Sequence, residues 1–404
     1  MKGMFNTENL QYSIRNLKLR PARSFLTILS IFVGITTIFI FIAFGWGLFS
    51  YVDSFATGST ADKIFVEGRG SGGPGSSNVL LTDSDLSTVE KTRGILDATG
   101  MYFKGSQVEQ KDVIKYVYSI GFNPDDVKLI EESFTINLIK GRHFDDSVGD
   151  VVLGYNYQLA DTVLPKGLDL NDKIEINGID FKIVGFYSEV GNPSDDANIY
   201  MSEESFKSAF PDDSNSYTMI LARGDISELE AVVDRVEKNV RKDRNEDEGK
   251  ETFTVTSFVE QLESFSAALN FVIAFIILIA FISVIVSAVN TANTMITSVL
   301  ERVQEIGVLK SIGARNSDIF KIFLLESALL GFLAGVIGVI LGWLAVSVAG
   351  AGLASAGWGF LQPKYNWVLF IGLISFATIV GAISGVLPAI DASKKKPVDA
   401  LRAD

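Results

Sequence analysis

The 404-residue sequence predicts an α-helical membrane protein with four transmembrane helices and an α+β extracytoplasmic domain between helices 1 and 2. Three observations predict it. Four charge-free runs, Ser24–Val52, Ser264–Leu300, Ser327–Pro363 and Tyr365–Ile390, each exceed the roughly 20 residues that cross a hydrocarbon core of about 30 Å. The polar segment 53–263 alternates strand and helix patterns. Charge is segregated as well: the formal net charge is −13, yet the segments flanking the apolar runs are rich in Lys and Arg.

Residues 1–23 carry Lys2, Arg15, Lys18, Arg20 and Arg23 against one acid, Glu8. Leu10, Ile14 and Leu17 recur at helical spacing, which predicts an amphipathic elbow helix at the headgroup boundary, with Pro21 bending the chain into the first span. An ordinary basic anchor flank fits the same residues. Transmembrane helix 1 covers 24–52. Its apolar run exceeds the roughly 7–15 residues of a signal-peptide core, so it reads as an uncleaved anchor.

The 53–263 segment holds 21 basic and 40 acidic residues, which argues against nucleic acid as a partner. "DKIFVE" at 62–67 reads as a strand and "TDSDLSTVEK" at 82–91 as a capped helix. Residues 95–122 read as several strands broken at Gly turns. A mainly β insert spans about 123–212, with a hairpin around Asn177-Gly178 at 173–189. A strand (217–224), a helix (225–244) and a last strand (251–258) complete a β-α-β-β, insert, β-α-β order: a porter-like α+β part carrying a β-rich insert.

Transmembrane helix 2 with its stalk is 264–297. Its apolar run, 264–300, makes about 55 Å of helix, longer than a bilayer core requires, and predicts a rod joining the domain to the loop beyond. That loop, 298–316, is a short helix rather than a polar turn. Glu301, Arg302 and Glu305 open it, Val303, Ile306 and Lys310 follow at helical spacing with Leu309 beside them, and Gly313 suits the position that ends it. Asn316 or Ser317 is expected to cap the next span. Such a helix between two spans predicts a docking surface, with aliphatics entering a groove on a partner and charges setting register.

Transmembrane helix 3 is 317–350. Gly331, Gly335, Gly338 and Gly342 line it at intervals that let another helix approach closely, either in a second copy or within the same chain. Glu326, a charge near its start, is expected to pair with Lys321 one turn away. An outer loop, 351–364, leads to transmembrane helix 4, 365–390, and a basic tail, 391–404. By the positive-inside rule both termini and the 301–321 loop are cytoplasmic in a multi-pass protein of the cell membrane, with the lipid bilayer as a permanent partner.

Catalytic signals fail one by one. Gly68, Gly70 and Gly73 fit G-x-G-x-x-G, but Pro74 and Gly75 follow and no helix opens there to hold a phosphate. There is no P-loop. Cysteine is absent and His143, read as a surface residue, is the only histidine, so no zinc-type site can form. The acid pairs Asp125–Asp126, Asp145–Asp146, Asp195–Asp196 and Asp212–Asp213 lack EF-hand spacing and read as solvated turns. No catalytic, cofactor or metal residue is assigned, and the chain reads as a non-catalytic membrane subunit.

Three blocks carry a family resemblance: "LQYSIRNLKLRPARSFLTILSIFVGI" (10–35), "ERVQEIGVLKSIGARNSDIFKIFLLES" (301–327) and "SGVLPAIDASKKKPVDALRAD" (384–404). Together with the four-span order they resemble the MacB/FtsX-like ABC transporter permease family, of the macrolide-exporter and lipoprotein-release type. The resemblance implies a permease subunit that works with a separate ABC ATPase subunit. That partner would bind the ATP and Mg, since no ATPase domain precedes span 1 here. It also implies a homodimer or a pair with a related permease, and an extracytoplasmic adaptor or substrate as a further partner. The loop helix would then be the coupling helix, with Glu301, Arg302, Glu305, Ile306, Gly307, Lys310, Gly313 and Ala314 as ATPase-coupling positions. The function implied is export or mechanotransmission, ATP-driven closure being passed along the stalk to move the outer domain. A membrane sensor or receptor, or a scaffold for a cell-envelope enzyme, is the alternative reading of the same layout.

Overall fold

A computed structural model describes residues 21–56, 60–70, 79–111, 113–211 and 216–395. The expected elbow helix before Pro21, the third glycine of the Gly-rich loop, the Asp212–Asp213 pair and the basic tail beyond 395 lie outside the described residues. The described residues divide into two compact units, one within 21–48, 269–352 and 362–395, the other within 49–268 and 353–361.

The first unit is helical. Its long helices are α1 (Pro21–Ala56), then, after the second unit's elements, α6 (Phe258–Glu301), α8 (Asn316–Ser355) and α9 (Trp367–Lys394), with the short α7 (Val303–Ser311) between α6 and α8. All four long helices have the length and apolarity to cross a membrane. Helices satisfy every backbone polar group internally, which lipid demands. Helix α6 begins at Phe258, earlier than the apolar run alone suggests, because Ser257 Oγ accepts the N–H of Glu260 and the charged turn Glu260–Glu263 continues the helix. The glycines of α8 face helices of the same chain. A Cβ at Gly331 would sit 2.4 Å from the carbonyl oxygen of Ala377, and one at Gly335 2.9 Å from the Ala377 methyl, both in α9. Gly338 and Gly342 meet Ile35 and Phe39 of α1 in the same way.

The second unit is α+β. Its strands are β1 (Lys63–Gly68), β2 (Ile95–Gln110), β3 (Val113–Phe122), β4 (Leu138–Gly141), β5 (Asp150–Leu153), β6 (Lys173–Ile176), β7 (Ile179–Tyr187), β8 (Ile199–Ser202), β9 (Met219–Gly224) and β10 (Phe253–Ser257). Its helices are α2 (Asp83–Glu90), α3 (Val127–Phe134), α4 (Glu203–Ala209) and α5 (Leu229–Asp243). Strands β10-β1-β9-β2 lie side by side, all antiparallel, with α2 and α5 on one face. This is the fourth-first-third-second order of a β-α-β-β-α-β unit. Its core is Ile64, Val66, Val89, Val232, Val236, Val240 and Val255. The long β2 leaves this sheet at Met101 and continues into a second one, where β2-β3-β8-β5-β7-β6 returns to β2 and closes a barrel. The barrel contains the expected insert but starts before residue 123, since the second half of β2 and all of β3 belong to it. Closure removes exposed strand edges.

Three local expectations are corrected. Residues 95–122 form two long strands, because Gly100 and Gly121 are not turns: a Cβ there would strike the rings of Tyr217 and Phe206. The one turn falls between β2 and β3, next to Lys111, which has a φ of 50°. Asp196 is buried rather than solvated, accepting the N–H groups of Val190 and Gly191 at 2.7 and 3.0 Å. His143 is half-buried, its Nε2 3.5 Å from Glu131. The β6–β7 hairpin turns through Asn177 and Gly178 at positive φ, the backbone a two-residue turn of this kind requires.

One ion pair fastens α2 to α5. Asp85 closes a capping box with Thr82 and takes two bonds from Arg244, at 2.8 and 2.7 Å, with its own side chain 2% exposed. Burial alone would raise the Asp85 carboxyl. The bonds from Arg244 and Thr82 outweigh it and hold the group below the usual carboxylate range. A lowered folded-state pKa means the stabilisation is complete above about pH 4 and is lost as pH falls through the folded value. Asp85→Ala leaves Arg244 without its main anion and should cost about 3 kcal/mol. Hydrogen exchange of the α2 amides is expected to accelerate about a hundredfold at neutral pH, with the difference from the parent shrinking below about pH 4.

Candidate functional site

The break between α6 and α7 is a single residue. Arg302 leaves the helical φ/ψ region at φ −114° and ψ 14°, and its carbonyl accepts the first α7 bond, from Ile306 N–H at 3.0 Å. The helix then stops at Gly313. Its φ of 106° lets Ala314 N–H reach Leu309 O at 3.0 Å and Gly313 N–H reach Lys310 O at 3.1 Å, the paired bonds of a Schellman cap. The start of α8 is capped by Asp318, whose side chain accepts Arg315 N–H at 3.1 Å, rather than by Asn316 or Ser317.

Four of the eight residues expected to form the coupling surface turn inward instead. The Arg302 guanidinium is 7% exposed and donates through Nη1 to Glu326 at 3.0 Å, with Glu326 itself 8% exposed. Its Nε donates to Glu305 at 3.0 Å, and its plane lies over the Phe323 ring, 5.2 Å from the centroid. This corrects the expected Glu326–Lys321 pair: the anion on α8 is matched by the junction of α6 and α7. Ile306 is buried in a cluster with Met295, Val299, Ile319, Phe323 and Leu330, which contributes about 2 kcal/mol, and Gly307 is buried beside it. Lys310 Nζ donates to the carbonyls of Ser393 and Lys395 at 2.6 Å each. Terminal carbonyls of a helix lack partners within it, and a cation there is favoured by the helix dipole. Lys310 therefore caps the C-terminus of α9.

Glu301, Glu305 and Gly313 are exposed and Ala314 is half-buried. The inward anchors leave a different outward face, of Gln304, Glu305, Val308, Ser311 and Ile312. Val308 is 52% and Ile312 79% exposed. Gln304, Val308 and Ile312 stand four residues apart and share one side of the helix. The sequence reading missed all three. No periodic signal singles them out, because α7 carries aliphatics on every side and only the burial of Ile306 turns Val308 away.

Beside this site a cleft of about 290 Å³ opens between α6 and α9, lined by Ile296, Val299, Leu300, Pro388, Asp391, Lys394 and Lys395. It has charges of both signs. Among the described residues no grouping of acids and His is placed to hold a metal ion.

A family model described as the MacB-like periplasmic core domain matches residues 24–239, and one described as the FtsX-like permease C-terminal matches residues 270–397. An uncharacterized ABC transporter permease of Methanocaldococcus jannaschii is 26% identical over 100% of both chains. The uncharacterized permease YknZ of Bacillus subtilis is 26% identical over 98% of each chain. The macrolide export ATP-binding/permease protein MacB of Acinetobacter baylyi is 26% identical, covering 98% of this chain and 59% of that one.

The buried pair yields a prediction. Glu326→Ala removes the buried partner of Arg302, leaving it the exposed Glu305, and should destabilise the helical unit by about 3 kcal/mol, while the double variant Arg302→Ala/Glu326→Ala should lose less than the sum of the singles. Thermal unfolding of the full chain in detergent measures both. Strict additivity would contradict a direct pairing.

Proposed function

Since the chain belongs to the MacB/FtsX-like ABC transporter permease family, we propose that it is the membrane subunit through which a separate ATPase, binding the ATP and Mg, moves an extracytoplasmic domain. The observation that carries this reading is the two-sidedness of α7. Arg302, Ile306 and Lys310 fix it to α8, to the cluster around Phe323 and to the end of α9, while Val308 and Ile312 stay bare. A helix fastened on one side and apolar on the other suits docking into a groove, with Glu305 on its flank steering the encounter. Push on such a helix is delivered to its anchors, and hence to three spans at once.

The basic flanks support placing α7 and both termini in the cytoplasm and the α+β unit outside. The unbroken helix α6 supports transmission, because it continues from the strand end at Ser257 to Glu301 without an interruption. Helix α6 is also the least covered span: 11% of its most apolar stretch is buried, against 28–44% in the other three. That supports a second permease, identical or related, lying against α6. The role is mechanical rather than catalytic, and it serves export or mechanotransmission.

Two outcomes test this. Val308→Asp or Ile312→Asp should weaken co-purification of the ATPase by about thirtyfold, the effect of about 2 kcal/mol at a central contact, whereas Ile226→Asp, on an equally exposed aliphatic of the α+β unit, should leave it unchanged. Retention of the ATPase by both α7 variants would refute the docking face. Separately, four residues inserted after Phe265 should leave the ATPase bound but abolish nucleotide-dependent movement of the α+β unit, read by paired labels. Undiminished movement in that insertion would refute transmission along α6.

A further inference from the structure

The α8–α9 connection and the loop between β7 and β8 meet within the α+β unit. Phe360 N–H donates to Gly191 O at 3.2 Å. The two backbones touch with no side chain between them: a Cβ built on Gly191 would lie 3.5 Å from the Gly359 Cα, and one on Gly359 3.5 Å from the Gly191 Cα. Pro193 borders Gly357, and the Phe360 ring packs between Trp358 and Tyr51, with centroids at 5.6 and 5.3 Å.

The barrel side of this meeting is stiff. Asp196, 2% exposed, holds the N–H groups of Val190 and Gly191. Asn192 Nδ2 donates to Asp195 at 2.7 Å, Asn156 Nδ2 to Pro193 O at 3.4 Å, and Gly154 N–H to Asn198 O at 2.9 Å. This explains the burial of Asp196, an acid that the permease role leaves unused. A carboxylate accepting two backbone N–H groups fixes a loop, and a fixed loop presents its Gly191 carbonyl at a set place.

We propose that residues 353–361 and the loop 188–198 form a permanent tie, so that the barrel is carried by the α8–α9 connection as well as by α6. The carrying role rests on the transmission reading above; the tie itself does not. A domain held at two places resists swinging about either one, so displacement of the helices becomes displacement of the barrel rather than idle rotation.

The test uses the full chain, in which cysteine is absent, so Ser194→Cys and Ala356→Cys accept a label pair with no background. In the chain alone, pulsed electron resonance should give one narrow distance, broadened by Gly359→Leu, which forces the backbones apart, and by Phe360→Pro, which removes the donor. Equal widths in all three would overturn the tie. With the ATPase bound, the Ser194–Ala356 distance should hold constant between nucleotide-free and ATP-trapped states. A change would show that the contact opens and would overturn its permanence. In that same complex Gly359→Leu should keep the ATPase and lose the nucleotide-dependent shift of a second label pair that reports α+β movement. If the variant keeps the shift, the carrying role is wrong. If the parent shows no shift at all, the transmission reading falls and takes the carrying role with it, while the width comparison still decides the tie.

Discussion

Arg302 and Glu326 are two charges taken out of water at the end of a membrane helix, and the geometry around α7 follows from their pairing. An unpaired carboxylate or guanidinium in that position would be costly; paired at 3.0 Å, with the guanidinium also bonded to Glu305 and laid over Phe323, each offsets the other's desolvation. The pair joins residue 302, where α6 ends, to a point about three turns into α8. That fixes the angle at which α7 leaves α6, and the angle decides that Ile306 enters the core and Val308 does not. Lys310 on the end of α9 closes the arrangement from the other side. A nine-residue helix is marginal by itself in water. These anchors, rather than its own propensity, keep it formed.

Much of this was legible in the sequence where the physics is local. Hydrocarbon-length runs without charge identify spans because lipid permits little else, and Gly313 after a periodic stretch identifies a helix end because few other residues take its φ. The Asn177-Gly178 hairpin is legible for the same reason. The failures share a cause as well. Glu326 has Lys321 one turn away and Arg302 twenty-four residues away; local reasoning chose the near cation, and packing chose the far one. Gly100 and Gly121 looked like turns because the rings that need their space, Tyr217 and Phe206, come from segments distant in the sequence. In α7 aliphatics stand on every side, at 303, 306, 308, 309 and 312, so periodicity alone does not say which face is buried.

The α+β unit obeys a second constraint. Its β-α-β-β-α-β part would close into one sheet by a short link between β2 and β9; instead β2 runs on past Met101 and founds a barrel before the chain returns. A single strand shared by two sheets makes the insert an extension of the sheet rather than a separate bead. Such a body can be moved as a whole, as the proposed transmission requires.

The account is tested most directly by photo-crosslinking from α7 in the assembled complex. Photoreactive residues at Val308 and Ile312 should attach to the P-loop ATPase, and the same residue at Ile306 should attach only within the permease. Attachment of the ATPase from Ile306, or its absence from both Val308 and Ile312, would contradict the claim that this helix is anchored on one side and driven from the other.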